Sequence, residues 1–203
     1  MAGWVNGNVS CSVCPGVVGT AGVDLRGIAA DACEYRAVVA CRGMFFALTV
    51  DQQAALMATR DDVEVRAFVE DVEMGDWDGK PLDCETDKAW DAMHRRLSDG
   101  TLGCGRRLSP LDMAVLGGAH HHEGDDYVVA HVLVDEVARV AAALEAVDET
   151  SMRQRYDRID AASYQGELSD EDFNYTWYWF TQVRDFYRKA AIAGRAVIFT
   201  VDQ

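Results

Sequence analysis

A chain of 203 residues, 49% apolar and 26% charged, is long enough to bury one real core and has the makeup of a soluble globular protein. Its formal net charge of −15 repels nucleic-acid phosphate, and its bases are scattered apart from the doublets Arg95-Arg96 and Arg106-Arg107, so nucleic-acid binding is not expected. No stretch approaches the roughly 18 consecutive apolar residues of a spanning helix; the longest apolar run, 128–134, is broken by His131, and no membrane association is expected.

The charge is uneven. Residues 1–43 hold three acids (Asp24, Asp31, Glu34) and three bases (Arg26, Arg36, Arg42), which leaves 31 acids and 16 bases in residues 44–203. The leader is Gly-rich, lacks a sustained period and carries no secretory pattern. It reads as poorly structured, with the natural start expected at Met44, and a mature N-terminus found near Met1 would contradict that. Its Cys11-Ser12-Val13-Cys14 resembles half a zinc knuckle, but seven residues separate Cys33 from Cys41, too many for one tight turn. Reduced thiols, no metal, no cofactor and a cytoplasmic protein are the expectation.

From Met44 the elements follow in order. Residues 44–48 read as a strand, and Thr49 with Gln52 forms a capping-box pattern that starts a helix. A second helix places Val65, Phe68, Val69 and Val72 on one face. A turn-rich loop spans 75–81. The next helix is expected to start near Asp83 or Thr86, with Ala89, Trp90, Met93 and Leu97 inward, Lys88, Asp91 and Arg95 outward, and glycines at 100, 103 and 105 ending it. The apolar run 111–116 fits a strand or one helical turn equally. Residues 127–134 are β-branched and read as a strand, with Asp135 as N-cap of a helix burying Val137, Val140, Ala141, Leu144 and Val147. A long helix from about Ser169 to Ala193, with Gly194 as its C′ residue, precedes a buried strand over 196–201 that is expected to pair with the strand at Phe45. The fold class is therefore α+β: a single domain over 44–203 with a small mixed sheet covered by helices.

Thr49 with its helix, Asp87-Lys88-Ala89-Trp90-Asp91 with His94, Leu108-Ser109-Pro110 through Gly118, Asp135-Glu136-Val137, Arg155-Tyr156-Asp157, and Phe186-Tyr187 through Gly194 together resemble the YfbM-like family of small bacterial cytosolic proteins of unknown function. The resemblance covers about the last four fifths of the chain and implies an α+β fold beginning near Met44. It implies no catalytic residues. The chain departs from the family pattern at 119–126, which is more polar and richer in His.

Three constellations carry chemistry. His94 shares a helical face with Trp90 and has Asp87 and Asp91 nearby, the makings of a general base oriented by a carboxylate, although no nucleophile motif accompanies it and the plainer reading makes Trp90 core and gives His94 a satisfied hydrogen bond. In His120-His121-His122 only His120 and His122, two apart on a strand, could meet one ion, and a solvated loop is the plainer reading. The last helix carries two aromatic stripes, Phe173, Trp177, Phe180, Tyr187 and Ala191 on one side and Tyr175, Trp179 and Phe186 on the other, where a surface helix needs one. Burial of Trp179 would make the second stripe packing; otherwise it is an anchor for a partner. With Trp90, Tyr175, Trp179 and Phe186 as the binding candidates, the functional expectation is a non-catalytic module that binds another protein, a basic one by charge, as an immunity-type inhibitor would. The competing reading is an enzyme using His94 with Asp87 or Asp91 in a cleft.

Overall fold

The structure is a computed structural model that describes residues 41–74, 82–103, 109–122 and 126–202. The expectations for residues 1–40, for the loop 75–81, and for Gly105, the Arg106-Arg107 doublet and residues 123–125 lie outside the described residues.

Gly43–Leu48 forms strand β1, and the Thr49 capping box closes as its residue types require. Gln52 N–H donates to Thr49 Oγ1 at 3.2 Å while Thr49 N–H donates to Gln52 Oε1 at 2.7 Å. Helices α1 (Val50–Met57) and α2 (Asp62–Met74) follow, with Leu56 and then Val65, Val69 and Val72 buried. Asp83–Asp87 is strand β2 rather than the start of a helix; helix α3 begins only at Trp90 and runs to Leu97. Pairing with β1 overrides the weak β-propensity of this acidic segment, and Thr86 seals it by donating its hydroxyl to Gly43 O at 2.9 Å. Asp87 then turns the chain with φ 47.

The undecided run 111–116 contains a buried 3₁₀ turn, Asp112–Ala114. Strands β3 (Ala119–His120) and β4 (Tyr127–Val132) precede helix α4 (Val134–Glu145), whose first turn contains Asp135, two residues past the Leu133 cap position. Helix α5 (Glu149–Tyr156), unanticipated, is capped by Asp148, whose carboxylate accepts from Ser151 N–H at 2.7 Å. Helix α6 (Asp170–Ala193) starts at the Ser169 cap and stops at Gly194, whose φ of 61 suits glycine. Strand β5 (Ala196–Asp202) ends the described chain.

The sheet order is β2-β1-β5-β4-β3, and every pairing is antiparallel where a mixed sheet was expected; β1 and β5 pair as anticipated, Phe45 opposite Phe199. Alternation along the strands divides the core. Phe45, Ala47, Val128, Ala130, Val197 and Phe199 face α3–α6, while Phe46, Leu48, Val129 and Ile198 face α1 and α2. This makes an α+β domain of three layers, whose described residues form one compact unit. No helix among the described residues is long and apolar enough to cross a membrane.

Candidate functional site

The acid–base candidates enter separate networks. His94 sits on α3, 1% exposed, with Nε2–H donating to Gly103 O at 3.1 Å and Nδ1 accepting from Leu116 N–H at 3.4 Å. Burial drives its pKa down to about 4, so the ring is a neutral strut between two loops. Asp91 accepts from Arg95 Nε at 2.5 Å, and burial still raises its carboxyl above the usual range. Arg95, expected on the outer face, is 4% exposed and reaches Ser163 O at 2.9 Å. Asp87 instead bonds to α6: Tyr175 Oη donates to Asp87 Oδ2 at 2.8 Å and accepts from Lys88 N–H at 3.1 Å.

The histidines of the 120–122 run diverge. His120 Nε2–H donates to Leu116 O at 2.7 Å, and His121 is hydrogen-bonded through Nε2 to Nδ1 of buried His131 at 3.1 Å. His122 accepts from Arg66 Nε at 3.3 Å and lies 3.8 Å from Asp62. Among the described residues no group of three or more His, Cys, Asp or Glu side chains is arranged to hold a metal ion.

The aromatic candidates divide by depth. Phe186 is 2% exposed, its ring centroid 5.7 Å from that of Phe45, and Trp90 is 8% exposed with Nε1–H donating to Cys41 O at 3.1 Å; neither offers a surface to a partner. Tyr175 and Trp179 are half-buried, in edge contact at 6.4 Å, and Trp179 meets Tyr178 edge-on at 5.3 Å. Tyr178 is 57% exposed. Trp179 therefore both packs on the core and leaves part of its indole at the surface.

Beside this patch lies the end of the sheet where β1 begins and β2 and β5 end. Arg42 bridges Glu85 at 3.3 Å and Asp87 at 3.8 Å. Arg42 also lines a cleft of about 280 Å³ between α2 and the sheet, together with Met44, Arg66, Glu70, Glu73, Tyr127, Thr200 and Asp202. Both cations in that lining have partners of their own, Arg66 pairing with Asp126 at 2.6 Å and lying 4.9 Å over the ring of Tyr127, another lining residue. Glu73 is raised above the ordinary glutamate value, first by desolvation and then by Asp202 and Glu70. Sequence reasoning missed Tyr178, Glu70, Glu73 and Asp202. The i, i+3 spacing of Glu70 and Glu73 marked a shared helix face, but only the β5–α2 packing shows that Asp202 joins them.

Residues 40–200 match the family described as "Domain of unknown function (DUF1877)". A similar solved structure is a protein of unknown function, YfbM, from Escherichia coli, at TM-score 0.58 and 18% identity, covering 79% of this chain and 99% of that one. At that identity the likeness concerns the fold. No curated protein matches the chain.

Proposed function

The chain belongs to the DUF1877 family, whose function is unknown, and from its geometry we propose that it is a non-catalytic module of the bacterial cytoplasm that binds a basic protein, as an immunity-type inhibitor would. The observation that carries this reading is the convergence of Glu70, Glu73 and Asp202 at the sheet end, where the two arginines lining the same cleft are engaged by other groups. Like charges gathered in one place cost stability in the free protein and favour a cation that arrives with a partner. A net charge of −15 accelerates encounter with such a partner. The rival role of His94 as a general base loses support, because both of its ring nitrogens are occupied by backbone groups.

The test is affinity capture from the native host with the wild type and the charge-reversed pair Glu70→Lys, Glu73→Lys. A basic protein retained by the wild type and lost by the variant is expected. Capture that survives charge reversal, or no captured protein at all, contradicts the reading.

A further inference from the structure

The exposed face of α6 carries an aromatic and acidic stripe. Glu171, Asn174, Tyr178, Gln182 and Asp185 are all exposed, and their spacing of three or four residues aligns them in one stripe along the helix. Tyr178 stands at its centre, with carboxylates seven residues away on either side, roughly 10 Å at 1.5 Å per residue. Tyr175 and Trp179 lie beside it, and Asp87, 34% exposed, hydrogen-bonded to Tyr175 and 3.8 Å from Arg42, adds a third carboxylate from the neighbouring β2–α3 junction. The stripe between Glu171 and Asp185 contains no basic residue. The nearest base beyond it on the helix, Arg188, is paired with Asp185 at 3.0 Å and Glu145 at 3.7 Å.

Aromatic faces with carboxylates near them suit one side chain above others. A guanidinium stacks on an indole or phenol face while its N–H groups reach carboxylate oxygens in plane, and Arg is weakly hydrated enough to be drawn from water into such a contact. The protein itself uses this pairing repeatedly, with Arg66 over Tyr127 at 4.9 Å and Arg153 over Phe173 at 4.8 Å. We propose that the Tyr175–Tyr178–Trp179 face of α6 is the docking surface for an arginine-bearing segment of a basic protein partner, with one arginine seated on Tyr178 and Trp179 and neighbouring arginines of the segment drawn to Asp87 and Glu171. This rests on the reading of the protein as a binder of a basic partner and places the anchor of that interaction on α6.

The full chain, titrated with capped hexaarginine and followed by amide and indole NMR shifts, tests it. Shifts centred on Tyr178, the Trp179 indole and Asp87 are expected, and hexalysine should bind more weakly because an ammonium lacks the planar fork. Tyr178→Ala, a change at an exposed position, should weaken hexaarginine binding several-fold while leaving the melting temperature unchanged, whereas Ile192→Ala, two turns or more away on the same helix, should do neither. Shifts confined to Glu70, Glu73 and Asp202 would overturn the α6 assignment and leave the basic-partner reading standing. Absence of any binding would overturn both, and shifts spread evenly over the acidic surface, unchanged by Tyr178→Ala, would reduce the interaction to charge adsorption and remove the α6 site.

Discussion

Arg96 is the most expensive side chain in the core. It is 1% exposed, with Nε–H on Ala92 O at 3.0 Å and Cζ 3.5 Å over the Tyr156 ring, while Nη1 and Nη2 have no hydrogen-bond partner among the described residues. Burial lowers its pKa to about 10, against the pull of Tyr156, Tyr164 and Asp172. A buried cation without a carboxylate on its fork is poor evidence of stabilisation. Arg96→Met is therefore expected to leave unfolding free energy in urea unchanged or to raise it by about 1–4 kcal/mol; a fall of about 3 kcal/mol would mean that the guanidinium holds something essential. His94 gives a second residue-scale prediction. Its pKa falls from 6.5 to about 4 on folding, so between those values the unfolded chain binds a proton that the folded one refuses. Stability contributed by neutral His94 is complete above pH 6.5 and falls by about 3 kcal/mol as pH drops toward 4. Urea unfolding across that range should show this slope in the wild type and its loss in His94→Gln. The sequence placed His94 on the right helix beside the right neighbours. It could not show that Gly103 O and Leu116 N–H, on two separate loops, would occupy the ring.

At the scale of elements, the junction between β2 and α3 joins strain to a long-range bond. Asp87 adopts φ 47, which most side chains resist, and its carboxylate accepts from Tyr175 on α6. Asp87→Ala should lose both the tolerance of that conformation and the bond, about 2 kcal/mol together, whereas Asp87→Gly should lose mainly the bond, about 1 kcal/mol. Equal losses in thermal or urea unfolding would mean that the backbone strain is immaterial. The elements with explicit end signals were legible: Thr49-x-x-Gln52 started α1, and Ser169 and Gly194 bracketed α6. Thr49→Ala should accordingly cost about 1 kcal/mol in the same assay. Two elements were hidden for different reasons. The stretch 83–87 is acidic and has no strand signal of its own, so its pairing with β1 is a tertiary effect. Helix α5 is polar over most of its turns and buries only Met152 and Tyr156, which leaves little period to detect even though Asp148 supplied a cap.

For the domain as described, two layers of helices enclose an antiparallel sheet; Tyr175 of α6 meets Asp87 at the end of β2, and Glu73 of α2 meets Asp202 at the end of β5. The α+β class and the β1–β5 pairing followed from strand patterns at the two ends of the domain. The surface did not, because the bond from Tyr175 to Asp87 and the meeting of Glu73 with Asp202 each join segments far apart in the chain and arise only from tertiary packing. Phe186 and Trp90, named among the binding candidates, are core, Trp90 as its inward helical face implied, and an aromatic stripe alone does not distinguish packing from recognition. The most direct measurement of the central claim is in vivo photo-crosslinking in the native host, with a photoreactive residue at position 178 or at position 192, both exposed positions on α6. A basic protein joined from position 178 and not from position 192 is the predicted result; equal adducts from both positions, or none from position 178, would contradict the account.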